Sequence, residues 1–181
     1  MRKKLSIKDM TYIAFFAAAT AILSQISIPT PGYMPPFTLQ TFSVSLAGLI
    51  LGAKNGTLSA IVYVLLGAVG LPVFAGLSGG IGVIAGHTGG FIMSFPIMAW
   101  FAGIVSSKSK PIMMIGIAAG AAVNFAVGMF WLGHVLNINL QMAFTAAVIP
   151  FLPLTLIDIF ALPFVSKALK SVLVRGDIKI L

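Results

Sequence analysis

Cysteine is absent from this chain and acidic side chains are nearly so: Asp and Glu total three, and His two, in 181 residues. Disulfides and thiolate chemistry are excluded, although the missing thiols leave the compartment undecided. Neither Asp158 with Asp9 nor His87 with His134 makes a catalytic dyad or a metal-ligand set, so no reaction centre, no metal and no cofactor are expected. No glycine-rich run ends in GKS or GKT, which removes the phosphate loop of an ATP-binding protein. Charge itself is scarce, at 8% of residues against 59% hydrophobic, with a mean hydropathy of +1.10. A soluble domain of this length would have no hydrated surface, so the composition is that of an integral membrane protein.

The few charges are mostly positive, giving a formal net charge of +8, and their placement is informative. Arg2, Lys3, Lys4 and Lys8 precede the first apolar run. Lys54 falls in the second break, Lys108 and Lys110 in the fourth, and Lys167, Lys170, Arg175 and Lys179 close the chain. The turns around 29 to 37, 72 to 80 and 134 to 141 contain no Lys or Arg. Basic and charge-free loops alternate, the positive-inside pattern, which predicts that both termini face the cytoplasm. Scattered over loop ends, these cations form no face that tracks nucleic acid; anionic headgroups of the bilayer are the better partner. The basic start followed by 10 to 28 is read as a retained first span rather than a cleaved signal, because the run is long and further spans follow.

Apolar segments near 11–28, 38–53, 57–71, 81–106, 112–133 and 145–171 predict an all-α membrane protein, a compact six-transmembrane-helix bundle forming one domain over 1–181. Pro29, Pro31, Pro35 and Pro36 end the first helix in an external connector, since proline lacks the amide proton and restricts its predecessor. Lys54, Asn55 and Gly56 mark an internal turn, and 106 to 111 a second.

Leu71 to Gly90 contains seven glycines and a single ionisable ring, that of His87. In a membrane such irregular backbone must line a cavity or be covered by protein. It reads either as a ligand-facing wall on the outer side, with Phe74 packing it, or as a connector whose glycines only permit turns. Thr88, Gly89 and Gly90 are its most suggestive group: two bare backbones allow close approach of a ligand, and Thr88 adds a hydroxyl. Asn124 lies in an apolar helix, as a cavity amide or an interhelical bond. His87 offers a ligand contact or satisfies loop carbonyls. Gln40 and Thr41 are read as supports of the second helix, and Tyr63 and Trp131 as cavity walls or interfacial anchors. In the first span Ala14 with Ala18, and Ala17 with Ala21, form small ridges that admit another helix, from this bundle or from a membrane partner.

PPFTLQTF at 35–42, LAGLILGAKNGTLS at 46–59, YVLLGAVGLPVFAG at 63–76, GGIGVIAGHTGGF at 79–91 and IPFLP at 149–153 keep the order and spacing of a known family across most of the chain. The chain resembles the BioY family, the substrate-binding S components of energy-coupling factor biotin transporters. The resemblance implies a six-helix bundle in the prokaryotic plasma membrane that captures extracellular biotin. It further implies an alanine-rich first helix (Ala14, Ala17, Ala18, Ala21) against a transmembrane coupling protein, with transport driven by two cytoplasmic ATPases. The expected substrate contacts are Phe74, His87, Thr88, Gly89, Gly90 and Asn124 from the residue pattern, with Thr155 and Asp158 at the polar positions that the resemblance implies.

The chain departs from the family pattern in two segments: where GPTGGY is expected it has GHTGGF at 86–91, and the second departure lies at the start of the last span. A PFLPGDLLK-like ending is expected, whereas this chain has PFLPLTLID, so Thr155 stands at the acidic position and Asp158 at the basic one. A related vitamin or biotin analogue therefore stays open as the ligand, as does a non-transporting assembly subunit. A carboxylate in an apolar span needs a partner, neutralisation or a wet cavity. For a ureido ring, Asp158 would accept N–H bonds while Asn124 or Thr88 donates to the carbonyl; pairing with Lys167 or a wet helix end are its structural alternatives.

Overall fold

The computed structural model describes residues 5–32 and 34–175, the last three by backbone alone. Arg2, Lys3, Lys4 and Lys179, and the Arg175 side chain, lie outside the described residues. Seven helices follow in order: α1 (Ile7–Leu23), α2 (Gln40–Ala68), α3 (Ile81–Ala85), α4 (Gly89–Ile104), α5 (Lys110–Leu136), α6 (Leu140–Ala147) and α7 (Leu152–Arg175). Between α1 and α2, the two-residue strands β1 (Ser27–Ile28) and β2 (Phe37–Thr38) pair antiparallel, Ser27 opposite Thr38. Three stretches, Gln40–Ala68, Lys110–Leu136 and Leu140–Val172, are long and apolar enough to cross a membrane, and Gly89–Ile104 is a shorter apolar helix. Large apolar side chains such as Phe15, Ile115, Phe130 and Phe160 stand exposed around the bundle, where a water-soluble protein would carry charge. The chain is an all-α membrane protein.

The α1 entry is written in the sequence. Ser6 accepts the Asp9 amide at 3.1 Å and the Asp9 carboxylate accepts the Ser6 amide at 2.9 Å, closing a capping box that satisfies two orphan donors of the first turn. The same carboxylate accepts Asn55 Nδ2 at 3.0 Å, which fixes the start of α1 beside the middle of α2.

That middle is a reversal. Gly52 has φ 77° and ψ 174°, a backbone state that side chains with a Cβ rarely enter, so it breaks the helix into two arms. A Cβ on Gly56 would lie 2.6 Å from the Gly48 Cα. In a straight helix those eight residues would span about 12 Å, so the arms run back on each other. The turn expected at 54–56 therefore sits a few residues earlier, because Gly52 supplies the positive φ. Small residues let the hairpin and α4 close on one another: a Cβ on Gly48 would collide with the Ala99 carbonyl, and one on Gly103 with Ala53. Lipid gives helices no hydrophobic reason to associate, so such close packing supplies the attraction.

The helices sort their loops to two ends. Asp9 with Asn55, Gly103 with Ala53, and Lys170 Nζ donating to the Ser106 carbonyl at 3.0 Å gather one set. Fifteen residues further along α1, about 22 Å at 1.5 Å per residue, Ser24 donates to the Val73 carbonyl in the other set. The expected single span over 81–106 is instead the short α3, a break at 86–88 and α4, and the expected last span from 145 begins with α6 and a 3₁₀ turn over Ile149–Phe151.

Candidate ligand-binding site

The glycine-rich segment is tied down at both ends by side chains from three helices. Its Val73 carbonyl accepts Ser24 Oγ at 2.6 Å and the Tyr63 hydroxyl at 3.0 Å. Gln25, just past α1, donates Nε2 to the Phe74 carbonyl at 3.0 Å and accepts the Leu77 amide at 2.8 Å. Farther along, Trp131 Nε1 donates to the Gly86 carbonyl at 2.8 Å. Phe74, 1% exposed, sets its ring edge-on to Tyr63 at 5.6 Å between centroids. Every one of these bonds removes an orphan that lipid could not satisfy, so the segment is a packed wall rather than a free connector.

Beneath it lies a cavity of about 360 Å³, near the small end of small-molecule sites. Five phenylalanines, at 74, 91, 95, 125 and 151, give it aromatic walls, with Pro35 and Pro36 from the connector before β2. The Phe151 ring packs 4.5 Å from Phe37, closing the seam between the strand pair and α7. Polar groups enter from Thr38, Gln40, Thr41, Ser78, His87, Thr88, Asn124 and Thr155; among the described residues no Lys, Arg, Asp or Glu is on the lining. The cavity can therefore enclose a compact, largely apolar molecule and fix it by a few hydrogen bonds. Among the described residues no cluster of His, Cys, Asp and Glu suits a metal ion.

Of the eight ligand contacts expected from the sequence, Phe74, His87, Thr88, Asn124 and Thr155 line the cavity, and Gly89, Gly90 and Asp158 do not. The glycine pair serves a different approach. A Cβ on Gly90 would collide with the Trp131 side chain and lie 2.8 Å from the Val127 carbonyl, and one on Gly89 would meet the Ile84 carbonyl, so both are filled by protein. Asp158 sits one layer behind the wall, 4% exposed, accepting Thr41 Oγ1 at 3.3 Å; no ion pair with Lys167 is formed. Asn124 reverses its expected sense, because both Nδ2 hydrogens are spent on the Phe91 carbonyl at 2.9 Å and Ser94 Oγ at 2.8 Å. Only its carbonyl oxygen is left to face a guest.

Gln40 and Thr41, read as helix supports, are on the lining, whereas Tyr63 and Trp131 are not and act as anchors of the wall. Phe91, Phe95, Phe125, Phe151 and Leu154 escaped the sequence reading because apolar residues in apolar helices carry no local mark of facing a cavity. The alanine ridges also divide. Ala14 and Ala18 are exposed, but Ala17 is 1% exposed inside the core and Ala21 packs against the same cluster, so these two join α1 to its own bundle.

Comparison with known proteins bears on this arrangement. The BioY family profile matches residues 1–175. The probable biotin transporter BioY of Pyrococcus horikoshii is 41% identical over 148 residues, covering 82% of this chain and 87% of that protein. The biotin transporter BioY of Thermotoga maritima is 34% identical over 167 residues, covering 91% and 97%. Among solved structures, the S-component for biotin from an ECF-type ABC transporter superposes with a TM-score of 0.83 at 28% identity, covering 91% of this chain and 92% of that one. With the family profile matching almost the whole chain and a relative 41% identical over most of its length, the chain belongs to the BioY family.

Proposed function

We propose that the chain is the substrate-binding S component of an ATP-driven energy-coupling factor transporter, capturing biotin outside the cell and delivering it inward. The observation that carries this is the 360 Å³ cavity, walled by phenylalanines and roofed by the pinned segment 71–88, in a chain of the BioY family. Biotin divides in the same way as the lining, into a ureido ring that hydrogen-bonds and an apolar remainder that packs. Phe74 and the other rings hold the apolar part; Thr88, Asn124 and Thr155 meet the polar part, with His87 beside them and Asp158 acting through Thr41.

In this reading α1, the two arms of α2, α4, α5 and α7 cross the plasma membrane six times. The end bearing Lys54, Lys108, Lys110 and Lys170 faces the cytoplasm with both termini, and the cavity end faces outward. The chain has no phosphate loop and no reaction centre, so it is a non-catalytic subunit. Pumping is supplied by two cytoplasmic ATPases through a transmembrane coupling protein, which docks on the exposed Ala14 and Ala18 of α1. Ligand biases reorientation only if its affinity differs between the outward and inward states, which the partners must impose.

A second reading, an S component for a related small vitamin, is favoured by Thr155 and Asp158, which depart from the family pattern, and by the absence of Lys and Arg from the lining among the described residues. Expression in a bacterium that cannot make biotin, with and without the coupling protein and ATPases, tests the proposal. Growth on trace biotin only with the complete set supports it; no rescue by any combination, with the chain present in the membrane, rejects it.

A further inference from the structure

The hydrogens on the polar lining are almost all spent on the protein itself. Thr38 Oγ1 donates to Gln40 Oε1 at 3.1 Å, and Thr41 Oγ1 to Asp158 Oδ2 at 3.3 Å. Ser78 Oγ donates to the Ala75 carbonyl at 2.8 Å and Thr155 Oγ1 to the Phe151 carbonyl at 2.9 Å. The Asn124 amide hydrogens are both taken, as described. A hydroxyl has one hydrogen and an amide two, so what these five side chains keep for a guest is lone pairs. Gln40 Nε2 gives one hydrogen to the Tyr63 hydroxyl at 2.6 Å and retains one. Apart from that hydrogen, donors on the lining side chains among the described residues are confined to the His87–Thr88 dipeptide.

We propose that this cavity is an acceptor wall that recognises ring N–H donors and reads little of the ligand's acid group, so that neutral esters and amides of the same ring are ligands too. The proposal rests on the biotin reading and extends it. A cyclic urea offers two N–H donors and one carbonyl, matching lone pairs on Thr41, Asn124 and Thr155 and the single remaining Gln40 hydrogen. A carboxylate, all acceptor, finds no Lys or Arg among the described lining residues, and on their side chains it finds donors only at Gln40, His87 and Thr88. Removing its charge therefore removes little. Replacing one ring N–H by oxygen sets lone pair against lone pair at a buried site, and sites built to bond a ligand N–H reject such analogues by large factors.

The full-length chain, purified in detergent, is titrated with biotin, biotin methyl ester, biotinamide and the cyclic carbamate in which one ring N–H is replaced by oxygen. The ester and amide are expected to bind within about tenfold of biotin, and the carbamate at least about a hundredfold more weakly. The proposal is overturned if the ester and amide lose about a hundredfold or more, or if the carbamate binds within about tenfold of biotin. Binding of the amide without binding of biotin upholds the acceptor wall and removes the acid as cargo. Binding of none of the four by a chain that stays folded overturns this proposal and the biotin reading together.

Discussion

The Val73 carbonyl accepts two hydrogen bonds, and this redundancy makes a quantitative prediction about what holds the roof of the cavity in place. Tyr63→Phe removes the donor at 3.0 Å but leaves Ser24 Oγ, whose one hydrogen is shared between the Val73 carbonyl at 2.6 Å and the Ala21 carbonyl at 2.7 Å and can settle on Val73, so the carbonyl stays satisfied. The one group orphaned is a Gln40 Nε2 hydrogen, whose loss of partner costs about 1–2 kcal/mol. Ser24→Ala leaves Tyr63 on the carbonyl and leaves Gln25 Nε2 its bonds to the Ala21 and Phe74 carbonyls at 3.1 and 3.0 Å, so it costs under about 1 kcal/mol. Together the substitutions strip Val73 of both donors. The double variant should lose about 1–2 kcal/mol beyond the sum of the singles, a coupling carried by a residue neither substitution touches. Reversible unfolding in detergent, followed for the wild type and the three variants, measures it. Additivity within about 0.5 kcal/mol would refute the reasoning and mean that the segment is not held through Val73.

Gly90→Val should lower the melting temperature in detergent, since its Cβ meets Trp131 and the Val127 carbonyl where α4 crosses α5; overpacking of this kind costs about 1–3 kcal/mol, and an unchanged melting point would show that the helices part freely. Cysteines at Lys54 and at the exposed Leu77 should behave oppositely in intact cells. A membrane-impermeant maleimide is expected to label Leu77→Cys directly and Lys54→Cys only after permeabilisation, and labelling of both from outside would contradict the orientation. The Ser6 amide and hydroxyl, followed by Asn55 and Lys54, hold the Asp9 carboxyl below its ordinary value of 3.8. A lowered carboxyl value means the stabilisation is present above 3.8 and is lost as pH falls through the lowered value, so hydrogen-exchange protection at the start of α1 should drop there, and should not drop in Asp9→Asn.

Alternating basic loops and long apolar runs made the membrane class legible from composition alone, and five ordered segments made the family legible. The helix breaks were harder. Lys54-Asn55-Gly56 looks like the turn of the first hairpin because polar residues and glycine cluster there, yet the reversal is at Gly52, where one positive φ decides the geometry. The candidate site was readable where chemistry stood out against an apolar background, as with His87, Thr88, Asn124 and Thr155. It was unreadable where function depends on which way a common residue faces. Gly89 and Gly90 look open in sequence and are filled by Ile84 and Trp131 in space. Asn124 looks like a donor until its hydrogens are counted against Phe91 and Ser94. Asp158 lacks Lys167 as a partner because nine residues of the same helix set them about 13 Å apart, and its contact is instead Thr41, 117 positions away in sequence.

Equilibrium dialysis of radiolabelled biotin against the purified full-length chain tests the central claim most directly. Saturation at one molecule per chain, displaced by unlabelled biotin, is the predicted result. A folded chain that retains no displaceable label at any concentration would contradict the assignment of the phenylalanine-walled cavity to this vitamin.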